Sequence, residues 1–147
     1  MIVVAAAALR TIVSAAEAHY PDESCGLLIG RRESDGPADG RIVVSEVREG
    51  ANVAPEPRRE RFEIDPRLRL QTMRALADRP ETIVGHYHSH PDRPARPSRT
   101  DIERAYEPGL IWVITAVAAG RAIETAAFRI ERGLVFRLEL LVADAPA

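Results

Sequence analysis

The stretch Gly85-His86-Tyr87-His88-Ser89-His90-Pro91, followed by Ser98 and Asp101, concentrates residue types that bind metals and move protons. Three of the four histidines fall within five positions, and Asp101 follows His90 by eleven. Alternate side chains on an extended strand share a face, so His88 and His90 can both turn toward one ion. Neutral imidazole suits zinc, and Asp101 can supply a third ligand once the proline-containing segment has reversed the chain. Two histidines and a carboxylate leave a position open for water, which is the pattern of a catalytic zinc site. Such an ion lowers the pKa of its water toward ~7.

Two more groups are then needed: a base for the water's proton and a donor for a developing oxyanion. Ser98 stands three residues before Asp101 on the same helical turn. Its hydroxyl can serve the oxyanion, or it can simply cap the helix, and the two roles are compatible. For the base the best candidate is Glu23, between Pro21 and an apolar run, although a glutamate at such a junction can equally be a solvated one. His86 also shares the strand face of His88. It either touches the site or is a packed residue of the cleft wall. Tyr87 points the other way, into the core. Cys25 begins an apolar strand, where free cysteine acts as a small buried hydrophobe. Trp112 reads as core, and Arg93, Arg96 and Arg99 surround the metal-binding loop, where they could meet an acidic partner.

The elements that must position these groups follow from pattern. A strand over 2–5 leads into an Ala-rich helix over 6–19, with Leu9, Ile12, Val13 and Ala16 at helical spacing. Pro21 stops that helix, and residues 25–30 form a buried strand. A turn is expected over 32–40 and a strand over 41–47, then an exposed loop over 50–61 and a short strand over 61–65. Asp65-Pro66 opens a second helix, to about residue 78, with Asp65 as N-cap and proline at N1. Residues 82–88 form the strand that delivers the histidines, and 91–97 a rigid, extended proline loop. Ser98 or Thr100 caps a short helix through Tyr106. Strands over 110–117, 123–130 and 134–142 complete the pattern, the last two joined by a tight turn at Glu131-Arg132-Gly133.

Taken whole, 147 residues suit one domain over 1–147, with 143–147 a frayed tail. A net charge of -2 gives no basic field for nucleic acid. All 20 basic residues are arginine, which rules out lysine Schiff-base or P-loop chemistry. A single cysteine excludes an intrachain disulfide and a Cys-rich zinc site. No apolar run reaches membrane-spanning length, so no membrane partner and a cytoplasmic location are expected.

The run His88-Ser89-His90-Pro91, six residues, Ser98, two residues, Asp101 resembles the signature of the JAMM (MPN+) zinc metalloproteases without a gap. Residues 20–30, Tyr-Pro-Asp-Glu-Ser-Cys-Gly-Leu-Leu-Ile-Gly, are similar to that family's N-terminal segment, whose glutamate is the catalytic base. The resemblance implies one zinc per chain held by His88, His90 and Asp101, with Glu23 as base and Ser98 as oxyanion residue. It implies a cytidine-deaminase-like α/β fold, a curved mixed β-sheet flanked by α-helices. It also implies amide hydrolysis, and the chain looks most like small bacterial members that act after the C-terminal Gly-Gly of a ubiquitin-like sulfur-carrier protein. The alternatives are a peptidase on another peptide or a phage-tail-type substrate, and a non-catalytic MPN scaffold, which would lack these ligands. A zinc nucleoside deaminase would need His-x-Glu and Pro-Cys-x-x-Cys. One cysteine excludes it. A RadC-type relative shares a His-x-His…Asp motif, but the charge balance and the Glu23 segment favour the peptidase. The substrate tail is expected to bind extended along a sheet edge, between the 91–97 loop and the 50–61 loop.

Overall fold

The computed structural model describes residues 1–33 and 40–143. In chain order its elements are β1 (Ile2–Ala5), α1 (Ala6–His19), β2 (Cys25–Arg32), β3 (Ile42–Gly50), α2 (Pro66–Ala75) and β4 (Thr82–Pro91). They continue with α3 (Arg99–Glu103), β5 (Ile111–Ala118), β6 (Arg121–Glu131), β7 (Leu134–Leu138) and β8 (Leu140–Ala143). The eight strands form one mixed sheet in the order β7-β6-β5-β4-β2-β3-β1-β8. β4 runs parallel to β5 and β1 parallel to β3 and β8, while the other pairings are antiparallel.

Residues 134–142, expected as one strand, are two. Glu139 alone separates β7 from β8, yet these strands lie at opposite ends of the sheet. One residue can bridge the two edges only if the sheet curls until they lie side by side. The Glu139 carbonyl then accepts from Ile2 N at 2.7 Å, which ties the start of β1 to this crossing. The β6–β7 turn is tight as expected, with Arg132 and Gly133 both at positive φ, 52° and 76°.

Other boundaries move for local reasons. β2 extends past Gly30 into two exposed arginines and β3 runs to Gly50. The helix expected to about residue 78 ends at Ala75 and loosens into turns ahead of Pro80, while Asp65 caps it by accepting from Arg67 N at 2.9 Å. α3 stops at Glu103, short of Tyr106. Instead of a strand over 61–65 there is a single bridge, Asn52 to Ile64. The 50–61 segment is not wholly exposed, since Ala54 is buried. Ala143 pairs with Ala5, so it is strand and not tail. Residues 144–147 and 34–39 lie outside the described residues, and with them most of the turn expected over 32–40.

α1 packs on one face of the sheet through Ala8, Ile12, Ala15 and Ala16, spaced i, i+4, i+7 and i+8. Its core partners include Ile2, Val4, Leu28, Val84, Tyr87, Ile111 and Val113. A register shift between Leu28 and Ile29 marks a bulge in the pairing with β4 and puts Val84 on the same side as Tyr87. The opposite face carries Trp112, Ile114, Ala116, Ala126, Phe128 and Ile130. Those β5 residues pair with His86, His88 and His90, so the histidines leave β4 on the face away from α1. No helix among the described residues is long and apolar enough to cross a membrane.

Candidate metal centre

His88 and His90 stand near the C-terminal end of β4, a central strand, and both are buried. The strand runs on through Pro91, further than the 82–88 expected, so both imidazoles are held by sheet rather than by loop. Asp92 then turns the chain with φ at 56°, a left-handed conformation unusual for a residue other than glycine. Three contacts pin its carboxylate: Tyr20 Oη at 2.8 Å, Arg59 Nη2 at 3.1 Å and Ala119 N at 3.3 Å. The 91–97 segment is therefore a braced turn and not simply an extended loop.

α3 presents Asp101. The Ser98 hydroxyl accepts from Asp101 N at 3.1 Å, and Asp101 Oδ2 accepts from Ser98 N at 2.9 Å, a reciprocal capping box. The cap aims the carboxylate at the histidines. His88 Nε2, His90 Nε2 and Asp101 Oδ2 make a triangle with edges of 3.0, 3.1 and 3.0 Å.

That triangle implies a cation. His90 Nδ1 is 2.9 Å from the Pro94 carbonyl, which can only accept, so Nδ1 carries the hydrogen. The Nε2 of a neutral His90 is then a lone pair facing Asp101 Oδ2, also an acceptor. Tetrahedral zinc with ligands at ~2.0–2.1 Å separates its donor atoms by about 3.3 Å, close to these edges. The Pro94 contact also fixes the His90 ring, as hydrogen bonds from a ligand's far nitrogen commonly do. Burial lowers the His88 pKa and favours its neutral form, the state that binds metal. Burial alone would raise Asp101, but charge and N–H donors beside Oδ2 (the histidine rings when protonated, and the Ser98 N–H) hold its carboxyl well below the usual range, and a cation among the three groups would do the same. The donor set fits a divalent ion of zinc type.

Glu23 reaches this group through strand register. β2 pairs antiparallel with β4, Cys25 opposite His88. The pairing continues one residue further, with Ser89 N donating to Ser24 O at 3.1 Å and Ser24 N to Ser89 Oγ at 2.7 Å. The next residue along, Glu23, is thereby set against His90. Gly26 permits this register, because a Cβ there would lie 2.4 Å from the Tyr87 ring. Ligand atoms of Glu23, His88 and His90 lie within 4.8 Å of one another. The Glu23 side chain is buried, with Oε1 lacking any hydrogen-bond partner and Oε2 held by Arg93 Nη2 at 2.5 Å. Burial outweighs the arginine and pushes its pKa up to about 8.

Asn52 and Phe62, which no motif singles out, join the site, and Arg93 takes a place in it other than the one expected. Asn52 donates to Glu23 O at 3.1 Å and to Arg61 O at 3.0 Å, while its Oδ1 accepts from Ala54 N and Glu63 N, both at 3.1 Å. It straps the backbone of Glu23 to the segment over 61–63. Phe62 stacks on His88 with centroids 4.3 Å apart and shields that ring. Arg93, expected only near the loop, is the Glu23 partner. No local sequence signal marks Asn52 or Phe62, since their partners are distant in the chain. Arg99 pairs with Glu103 along α3 and stays outside the site.

A cleft of about 400 Å³ opens beside the triad, walled by residues 61–64 on one side and by Thr100, Asp101, Arg104 and Tyr106 on the other. The opposing wall is thus α3 and its exit, where the 91–97 loop was expected. His86 and Trp112 form part of the wall, their rings 4.3 Å apart, and burial lowers the His86 pKa to about 3. Trp112 is thus core and cleft wall together. Tyr87 is fully buried on the α1 side. Cys25 is buried too, its Sγ 3.6 Å from Ala51 O and its thiol pushed up to about 12 by burial.

Residues 5–131 match the family model described as prokaryotic homologs of the JAB domain. The CysO-cysteine peptidase of Mycobacterium tuberculosis is 30% identical over 135 residues, 92% of this chain and 86% of that protein. The desampylase of Haloferax volcanii is 38% identical over 94 residues, 64% of this chain and 62% of the relative. Among solved structures, protein DSY2949 of Desulfitobacterium hafniense superposes with a TM-score of 0.84 at 29% identity, covering 99% of this chain and 94% of that one. AF2198, a JAB1/MPN domain protein of Archaeoglobus fulgidus, superposes with a TM-score of 0.58 at 21% identity, covering 97% of each chain, a likeness of fold.

Proposed function

The chain belongs to the prokaryotic homologs of the JAB domain, the small JAMM/MPN proteins, and from that premise we propose that it is a zinc-dependent amide hydrolase acting on a ubiquitin-like sulfur-carrier protein. The observation that carries the reading is the approach of Glu23, with one carboxylate oxygen unpartnered, to the His88–His90–Asp101 triangle. His88 Nε2, His90 Nε2 and Asp101 Oδ2 would hold one zinc ion. When bound there, zinc would lower the pKa of a water toward ~7 and polarise the substrate carbonyl.

The chain's own residues supply the rest. Glu23 Oε1 takes the proton of the attacking water and passes it to the departing amine. A carboxyl whose pKa is raised to about 8 can do both near neutral pH. Arg93 and the Asn52 strap hold Glu23 so that Oε1 is the oxygen left to act. Ser98 Oγ accepts from Asp101 N, which leaves its own hydrogen to donate to the oxyanion as the carbonyl carbon becomes tetrahedral. The same hydroxyl is thus cap and candidate donor. Phe62 covers His88 and limits the access of bulk water to the triad.

The carrier's extended C-terminus would lie in the cleft between residues 61–64 and α3. Two glycines next to the scissile bond would let the tail's backbone come close to the triad, since residues without a Cβ need the least room. The relatives named CysO-cysteine peptidase and desampylase support this substrate class. On this reading the whole chain is one catalytic domain, working in the cytoplasm. The test is mass spectrometry of a ubiquitin-like carrier ending in Gly-Gly plus an extension, incubated with zinc-loaded protein. Cleavage after the second glycine, abolished by a chelator and strongly reduced when Gly-Gly becomes Ala-Ala, is the expected result. Equal cleavage of the Ala-Ala form would point to a general peptidase. No cleavage of either would end the hydrolase reading.

A further inference from the structure

We infer that Arg93 is a specificity-determining residue that binds the α-carboxylate of a free amino acid leaving from the carrier, so that the preferred substrate is a carrier–amino acid amide. The inference rests on the hydrolase reading above and adds the chemistry of the leaving half.

The cleft wall includes Asp101 but neither Glu23 nor Arg93. A carrier tail in the cleft therefore brings its carbonyl to the triad and directs the scissile nitrogen toward Glu23. In hydrolysis the C–N bond breaks, the carbonyl carbon gains the water's oxygen, and the nitrogen gains a proton from Glu23. The nitrogen must come within hydrogen-bond reach of Glu23. In a free amino acid the carboxyl carbon is one Cα away from that nitrogen, about 2.5 Å. The group nearest Glu23 is the Arg93 guanidinium, with Nη2 2.5 Å from Glu23 Oε2. An α-carboxylate on the departing residue would thus fall beside a fixed positive charge.

The guanidinium has capacity for it. Nη2 is shared between Glu23 Oε2 and the Arg59 carbonyl at 3.0 Å and Nε is buried without a partner, which leaves Nη1 to meet a ligand. The side chain is 30% exposed, open enough for a ligand to reach. Its fixed charge and remaining N–H donors, held in a planar group, suit a carboxylate better than a mobile ammonium would. The placement is also built rather than incidental. Asp92, directly before it, is held at positive φ by Tyr20, Arg59 and Ala119, so the chain turns where Arg93 must meet Glu23. A lysine side chain leaving from an isopeptide bond has no carboxylate at this distance, so the same arginine disfavours protein conjugates.

The experiment compares two carrier conjugates that differ in one group: Gly-Gly extended by alanine, and Gly-Gly extended by alaninamide. With wild-type, zinc-loaded protein, kcat/KM for the acid should exceed that for the amide about 10- to 100-fold, the range of a hydrogen bond to a charged partner. In Arg93→Gln the ratio should collapse toward unity, whatever happens to the absolute rate through the loss of the Glu23 contact. Arg93→Lys should give an intermediate ratio, since the charge remains and the planar group is lost. Equal kcat/KM for acid and amide in the wild type, which needs no variant, would overturn the inference. So would a preference for the acid that survives in a folded Arg93→Gln protein. Failure to cleave either conjugate would instead overturn the hydrolase reading, and this inference with it.

Discussion

Strand β4 sends buried side chains to both faces of the sheet, and the two sets obey different rules. Toward α1 go Val84 and Tyr87, packed among Leu28, Ile12, Val113 and other apolar groups, with the Tyr87 hydroxyl the one polar atom of that pair left without a partner. To the other face go His88 and His90, as deeply buried, with Asp101 and Glu23 brought in against them. The first set lowers the free energy of folding through area removed from water, about 1.5–3 kcal/mol for a leucine-sized side chain. The second is costly to bury: Glu23 Oε1 and His88 Nδ1 have no partner, and three ligand-type atoms of His88, His90 and Asp101 crowd within 3.1 Å of one another. Equal burial with opposite energetics separates the part of the molecule that holds the fold from the part held ready for chemistry.

The sharpest way to break that comparison is at the ligands. His88→Ala and Asp101→Ala should each lose zinc and all measurable turnover while remaining folded, which metal analysis together with circular dichroism would check. Full zinc occupancy in both variants would show that the triangle is not the metal site. Next in size is Glu23→Gln, nearly isosteric but unable to accept the proton. Zinc should stay and kcat should fall ~10²–10⁴-fold. A rate near wild type would move the proton transfer to another group.

On the core side, Leu28→Ala should cost 2–5 kcal/mol, roughly, in chemical denaturation, because it opens a cavity under α1. Zinc content and turnover below the unfolding transition should hold, as Leu28 packs in the core on the α1 side of the sheet. A variant that lost zinc before it lost stability would mean that the two faces are coupled. Ser98→Ala divides the two roles of one hydroxyl. As an oxyanion donor it should lower kcat ~10²–10³-fold. As a cap alone it should lose ~1 kcal/mol of stability with turnover intact.

What was legible in the sequence is what one strand and the turn after it encode. The ligand types and their spacing, 88, 90 and 101, sit close along the chain, and local geometry brings them together once β4 forms and Ser98 caps α3. The amphipathic spacing of α1, the Asp65 cap and the Arg132-Gly133 turn are local in the same sense, which is why those elements fall where their patterns put them. Tertiary structure decided the rest. Glu23 meets His90 because the β2–β4 register sets Cys25 against His88, a pairing across more than sixty residues that no local pattern specifies. The division of 134–142 into β7 and β8 depends on sheet curvature, a collective outcome of strand twist, and a single apolar run cannot reveal which edge each half will join. The partnerships of Arg93 with Glu23, Asn52 with two loops and Phe62 with His88 are likewise set by the folded chain, since the same side chains on another surface would be solvated. Local spacing fixes which atoms can bind an ion, and long-range register fixes which acid and which arginine stand beside it.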